Sequence, residues 1–432
     1  MKRPLPLGAV VAVALVLAVL PVGAVEWGGT LDNTTTPTYS GSSQEVSFQQ
    51  EDKLALWLEA EFNPRLSLIV QGSYTYSLDR PYLFDVDLLK LQGRFLLGGS
   101  SVLDLSLGRF RVSDFSALLF ADNLDGTQAA WRLPRANLIL AVGFLGLQLL
   151  PVSTVSMSQL DLYNPTIWAP PRLLEMLQIE LPEVFGRQSL VVAAVAQQDL
   201  RGEGLVPEGD PGPPVAGEGG RISTEYLGVA LRGPLASSLY YELFGYLGTG
   251  RTLSYVSGAF SYEWLVAGLV GAGLKYYRED WLSSRAELRL LLATGDEDYT
   301  DRFVEGNTEG LATVFTTISQ TELALLFSPR LGNLALAELS YSLKPAAFLQ
   351  TLLRASLFLR PTLGRISDGR VDAAPLSTAR YLGAEIDAAA RFRLSSDLGL
   401  ALTAGVFLPG GAFQAAFRQA DFGGRVELSF SF

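Results

Sequence analysis

Cysteine and histidine are both missing from the 432 residues. Without cysteine there is no disulfide framework and no thiolate nucleophile. Without histidine the commonest general base is gone, and with it Ser-His and Cys-His catalysis and every histidine-containing metal site. No P-loop and no nucleophile elbow is present, so the sequence implies no cofactor, no metal and no enzyme. Long uncharged apolar runs are scarce too. Past the N-terminal stretch, the nearest candidate is Gly258 to Tyr277, which Glu263 and Lys275 interrupt and which holds four glycines. A spanning helix needs about twenty apolar residues in a row, so helical transmembrane architecture is not expected. Positive charge is in deficit: 33 Lys and Arg against 44 Asp and Glu leave a formal −11, which argues against a nucleic-acid partner.

What is there is 48% hydrophobic residues and a mean hydropathy of +0.25. That value lies above most soluble enzymes and below helical membrane proteins. A membrane barrel falls between, because only alternate residues face lipid. The N-terminus begins with Lys2 and Arg3, continues as an apolar run from Leu7 to Leu20, and reaches small residues at Val22-Gly23-Ala24. This is the layout of an export signal, cut after Ala24, so residues 1–24 are expected to be a signal peptide and 25–432 the mature barrel. Removing Lys2 and Arg3 takes the 33 basic residues to 31 and the charge from −11 to −13. An exported, mildly apolar chain with no spanning helix satisfies its backbone in lipid as a closed barrel.

Two-residue periodicity points the same way. Leu54, Leu56, Leu58, Ala60 and Phe62 alternate with Trp57, Glu59 and Glu61. After the Asn63-Pro64 turn, Leu66, Leu68, Val70, Gly72, Tyr74 and Tyr76 alternate with Ser67, Gln71, Ser73, Thr75 and Ser77. Near the end, Ala384, Ile386, Ala388, Ala390 and Phe392 alternate with Glu385, Asp387, Arg391 and Arg393. Leu398 to Val406 repeats the pattern, and Val426, Leu428, Phe430 and Phe432 alternate with Arg425, Glu427, Ser429 and Ser431. Segments this long suit a tilted crossing of a bilayer, whereas soluble strands are about five or six residues. Further strands are expected at 26–31, 82–95, 102–111, 128–133, 137–144, 189–197, 222–231, 239–247, 253–264, 269–277, 285–293, 334–343 and 350–359, with Val314–Phe327 ambiguous. The fold class is therefore all-β, a transmembrane antiparallel β-barrel of about 16–18 strands. The up/down parity does not close through the middle of the chain, so at least one of these strands is misplaced.

Tyr74, Tyr76, Trp131, Tyr240, Tyr241, Tyr276, Tyr277, Trp281 and Tyr381 lie near strand ends, as aromatic girdles would. Leu200–Gly220, Asp296–Gly310 and Pro361–Ser377 read as external loops. Leu150–Gly186 is apolar and proline-rich; its Arg172–Gln178 stretch could form two helical turns, and the segment could fold inward and narrow a pore. The polar faces carry both signs: Arg285, Glu287 and Arg289; Glu385, Asp387, Arg391 and Arg393; Arg425 and Glu427. Lining a lumen, such rows set a transverse field; the plainer reading is that they keep the lumen wet. The acidic pairs Glu59/Glu61 and Asp85/Asp87 would suit a carboxylate-only hydrolase, but on alternating strands they fit a lumen wall better.

Leu107-Gly108-Arg109 with the later Asp125-Gly126 resembles the alginate-export family of outer-membrane porins. So do Leu382-Gly383-Ala384-Glu385-Ile386-Asp387, Ser395 to Leu398 and Leu408-Pro409-Gly410, and Ala293-Thr294-Gly295-Asp296 is similar to that family's strand-ending Ser-Gly-Asp. The resemblance covers roughly a sixth of the chain. It implies an eighteen-stranded passive channel in the bacterial outer membrane, with Arg109 and Arg111 at a constriction and Asp122 and Asp125 nearby. The expected partners are outer-membrane lipid, a hydrophilic small or polymeric solute such as a sugar or polysaccharide, and a further copy of the chain. The alternative is a barrel plugged by its own loops that binds at the surface or serves structurally.

Overall fold

A computed structural model describes residues 23–98, 100–158, 161–162, 166–201, 220–298, 307 and 311–432. The expected signal, 1–24, falls almost wholly outside these. Eighteen strands follow in chain order. They are β1 (Ala24–Ser40), β2 (Glu45–Asn63), β3 (Leu66–Ser77), β4 (Leu83–Leu96), β5 (Val102–Ser113), β6 (Ala121–Leu133), β7 (Ala136–Phe144), β8 (Arg172–Phe185) and β9 (Gln188–Asp199). The second half is β10 (Ser223–Ala236), β11 (Leu239–Val256), β12 (Ala259–Arg278), β13 (Ser284–Ala293), β14 (Leu334–Ala346), β15 (Leu349–Leu359), β16 (Tyr381–Arg393), β17 (Leu398–Pro409) and β18 (Asp421–Ser431).

Every strand pairs antiparallel with its sequence neighbours, and β1 pairs with β18, so the sheet closes and leaves no edge. The seam runs from Thr30 opposite Ser431 to Tyr39 opposite Phe422. Gly29 and Phe432 exchange backbone hydrogen bonds of 3.0 and 3.1 Å at its lower end. Short turns alternate with longer connections, the pattern of outer-membrane barrels, in which the short turns face the periplasm.

The alternation places large apolar side chains outside. Leu288, Leu290 and Leu292 on β13, and Val426, Leu428 and Phe430 on β18, are exposed and belong to no core. Their neighbours Arg285, Glu287 and Arg289 point the opposite way, into the ring. Trp131, Tyr276 and Trp264 lie on the outer face near strand ends, as a girdle requires. Tyr240 and Tyr277 do not: their rings meet at 5.7 Å on the inner face, and the Arg285 guanidinium lies over Tyr277.

Three sequence expectations change. Arg172–Gln178 is not helical but opens β8, paired with β7 and β9. The expected strand 253–264 is the tip of a hairpin: β11 runs out to Val256, turns at Ser257 (φ 54°) and Gly258 (φ 85°), and returns as β12. Val314–Phe327 is not a strand; it lies inside the barrel. Losing one strand and gaining another restores the parity.

Candidate functional site

The lumen is not an open tube. A continuous apolar cluster joins the inner faces of the wall from β5 to β17 to the β5–β6, β7–β8 and β13–β14 connections, and takes in Ile366 and Val371 of the β15–β16 connection and Ala412 and Phe413 of the β17–β18 connection. No residue of β1–β4 or β18 belongs to it.

The β5–β6 connection is wound around one carboxylate. Asp114 accepts from the amide and hydroxyl of Ser116, from the Phe120 amide, and from the Tyr246 hydroxyl of β11 at 2.6 Å. Tyr246 lies on the same wall as Tyr226, whose hydroxyl donates to the Thr316 carbonyl. The β5–β6 segment therefore crosses from its own strands to β11. There it meets the β13–β14 segment: Ile318 N–H donates to Leu119 O at 2.9 Å, and Ala121 N–H to the Ser319 hydroxyl at 2.8 Å.

Residues 311–333 of the β13–β14 connection are then pinned to the far wall. Glu385 of β16 accepts the Leu326 and Phe327 amides, each at 2.8 Å. Phe327 is buried, stacked on Phe407 at 4.6 Å and edge-on to Phe358 at 4.9 Å. Arg354 donates to Leu323 O and pairs with Asp387 at 2.7 Å. At the free margin, Glu322 pairs with Arg425 of β18 at 2.6 Å. The β7–β8 connection supports the segment from above, through Ser156 N–H to Ile318 O and Gln320 N–H to Thr154 O.

Arg109 and Asp125 form a fork-to-fork pair across β5 and β6, two bonds of 2.8 Å. The guanidinium also reaches Asp85, Val86 O and Leu147 O. The pair follows a glycine layer in which Gly108 faces Gly126. Gly108 has φ of +111°, and a Cβ there would lie 2.1 Å from Leu89 O; one on Gly126 would lie 2.1 Å from Val142 O. Only glycine fits where strands approach this closely. Arg111 shares the Arg109 face, opposite Asn123. Asp122 does not join them: it lies on the Phe110 and Val112 face and accepts the Thr154 amide and hydroxyl. The expected cluster of four splits between two faces.

Glu59 and Glu61 lie on the face of Lys53, which pairs with Asp87 at 3.4 Å. Glu59 stands opposite Glu26 of β1. Further round, Glu287 pairs with Lys275 and Arg285, and Arg289 pairs with Glu338. Arg391 shares a cavity of about 250 Å³ with Arg285 and Arg354, and Arg393 is the last residue of β16 on the same face. Glu427 lies beside Arg425, opposite Thr34.

A network among Asp161, Arg172, Asp199 and Arg201 went unread in the sequence. Arg201 joins Asp199 to Asp161, and Arg172 is fully buried beside Gln197. Its members are scattered over forty residues of proline- and glycine-rich chain, with no spacing to connect them.

The family model described as alginate export matches residues 217–421, just under half of the chain, and bears out the resemblance read from its motifs. Among solved structures, the chain is similar to Pseudomonas aeruginosa OccK2 (OpdF) in complex with glucuronate, with a TM-score of 0.60 and 12% identity over 96% of this chain and 99% of that one. It is similar to OccK1 (OpdK) of the same organism, with a TM-score of 0.57 and 12% identity over 95% and 99%. OpdK with vanillate gives the same TM-score, identity and coverage. These likenesses show the fold, an eighteen-stranded barrel of the kind that resides in the bacterial outer membrane. No curated protein matches the chain.

Proposed function

We propose that the chain is an outer-membrane channel through which hydrophilic solutes of sugar size diffuse, along a passage between the inward segments and the β1–β4 wall. One observation carries this. The apolar cluster covers the inner wall from β5 to β17 and stops there, while the inner faces of β1 and β2 present Asp32, Glu51, Lys53, Glu59 and Glu61. A stripe of charge against no apolar partner is what a wet path requires, because charges sealed in a dry interior cost several kcal/mol each.

In this reading Glu59, Glu61, Arg425 and Glu427 line the path. Arg109, Arg111 and Asp125 border it, and Asp122 anchors a segment that narrows it. Arg285, Glu287, Arg289, Glu385, Asp387, Arg391 and Arg393 form the more basic side of the lumen and set a field across it. The ligands in the structures of the similar porins, glucuronate and vanillate, are small carboxylates and agree with solutes of this size.

Swelling of liposomes that hold the purified protein tests the reading. Pentoses and hexoses are expected to enter, and larger oligosaccharides to lag. If none of them enters, the barrel is plugged by its own segments and acts at the surface.

A further inference from the structure

Across the lumen from the β1–β4 wall, a cavity of about 1170 Å³ opens at the short-turn ends of β9–β13. The turns there, 237–238 and 279–283, are short, so the mouth faces the periplasm. On β11 the inward residues descend from Tyr246, in the apolar cluster, through Phe244, packed against it, to Glu242 and Tyr240, which line the cavity. The cavity therefore lies beneath the apolar cluster and is roofed by it. Tyr240 and Tyr277 of β12 stand in it at 88° to one another. Both rings are exposed, and neither hydroxyl has a hydrogen-bond partner among the described residues. Gly273, opposite Glu242, widens the space: a Cβ there would meet only Glu242, at 3.9 Å.

The charges of this vestibule are largely matched. Arg232 pairs with Glu180 at 2.7 Å, Lys275 with Glu287 at 3.6 Å and Arg278 with Asp280 at 3.1 Å. Of the lining cations, Arg187 alone has no ion-pair partner among the described residues, and it is set against two carboxylates without one, Glu242 and Glu279. An anion entering here finds its cations engaged and meets two like charges. A neutral polyol meets neither cost. Glu242 stands opposite Arg232 and is free to accept from two adjacent hydroxyls. Arg232 gives Glu180 one N–H and keeps others to donate. The negative face of an aromatic ring attracts polarised C–H groups, such as those on one side of a pyranose. Tyr277 has the Arg285 guanidinium over its ring at 5.7 Å, which leaves Tyr240 as the freer platform.

We infer that this vestibule binds neutral oligosaccharides from the periplasmic side, with a pyranose ring against Tyr240 and its hydroxyls on Glu242 and Arg232. The size agrees: small-molecule sites run to about 300–1,000 Å³, so roughly two or three pyranose units fit. The site lies across the lumen from the proposed passage and goes beyond that reading. A barrel that never conducts would still present it to the periplasm.

Isothermal titration calorimetry of the full chain, in a detergent without a sugar headgroup, tests the site. The probes are maltotriose, cellotriose and mannotriose, with trigalacturonate as their anionic counterpart. At least one neutral trisaccharide is expected to bind about tenfold more tightly than trigalacturonate, the scale of one hydrogen bond to a charged group. Tyr240→Ala should weaken that sugar about tenfold, whereas Tyr240→Phe, which keeps the ring face, should cost about threefold or less. Glu242→Gln should narrow the gap between the neutral sugar and trigalacturonate. Heat-dependent gel mobility shows whether each variant is folded. Trigalacturonate that binds as tightly as the best neutral sugar, or no binding of any neutral sugar, overturns the inference on the unaltered chain alone. So does a folded Tyr240→Ala chain that binds as the unaltered one does.

Discussion

Arg109 contacts two strands besides its own and one loop through a single guanidinium, and its side chain is only 10% exposed. Arg109→Gln leaves Asp125 and Asp85 facing each other without their shared cation. Removing one partner of a buried pair costs about 3–5 kcal/mol, so a clear fall in the thermal midpoint is expected, and Arg109→Lys, which cannot form the fork, should recover only part of it. Asp296, just beyond β13, holds the start of the inward segment through the Thr313 amide at 2.9 Å. Burial, and then the neighbouring Asp298, push its carboxyl up from 3.8 to about 6. A raised carboxyl penalises folding, and the penalty is absent below the unfolded value of 3.8, grows up to about 6 and is full above it. The native protein should therefore gain more stability between pH 7 and pH 5 than Asp296→Asn does, in paired thermal scans. Sequence alone separated charged from apolar faces, because that follows from counting by twos. It could not tell Asp122 from Asp125, since what divides them is a β5–β6 register with loop contacts on both sides.

At the scale of elements, the inward segment 311–333 depends on Phe327. Phe327→Ala removes a ring packed among Phe358, Phe407 and Phe413, a loss of about 3–5 kcal/mol in a rigid core. The barrel keeps its strand pairings, so the expected result is a folded protein with a larger and noisier conductance, read by single-channel recording. The reasons some elements were legible and others not are physical. Strands bare on the inside, such as β2, β3 and β18, alternate cleanly between lipid and water. β8 does not, because its inner residues Leu174 and Met176 pack under the inward segments while Leu173, Leu177 and Ile179 face lipid. With both faces apolar, its period disappears. The 253–264 stretch reads as one strand because its two halves are both rich in aromatics, and the turn that divides them is only Ser257-Gly258.

For the whole molecule, strand number and closure follow from lipid outside and the lack of a free edge, and the sequence carried that to within two strands. The lumen architecture was not legible, because it is made of connections whose partners are hundreds of residues away. The charge layout has a consequence for conduction. Glu26, Asp32, Glu51, Glu59 and Glu61 outnumber Lys53 on the inner faces of β1 and β2. The channel should prefer potassium over chloride in a salt gradient, and Glu59→Gln/Glu61→Gln should move the reversal potential toward zero. The absence of native cysteine makes the central claim directly measurable. A Lys53→Cys variant, recorded in a planar bilayer while a charged, water-soluble thiol reagent is added, should first show stable ohmic steps and then a stepwise drop as the reagent couples inside the passage. A barrel that never conducts, or one whose conductance is untouched although the introduced thiol is labelled, would contradict a water path along the β1–β4 wall.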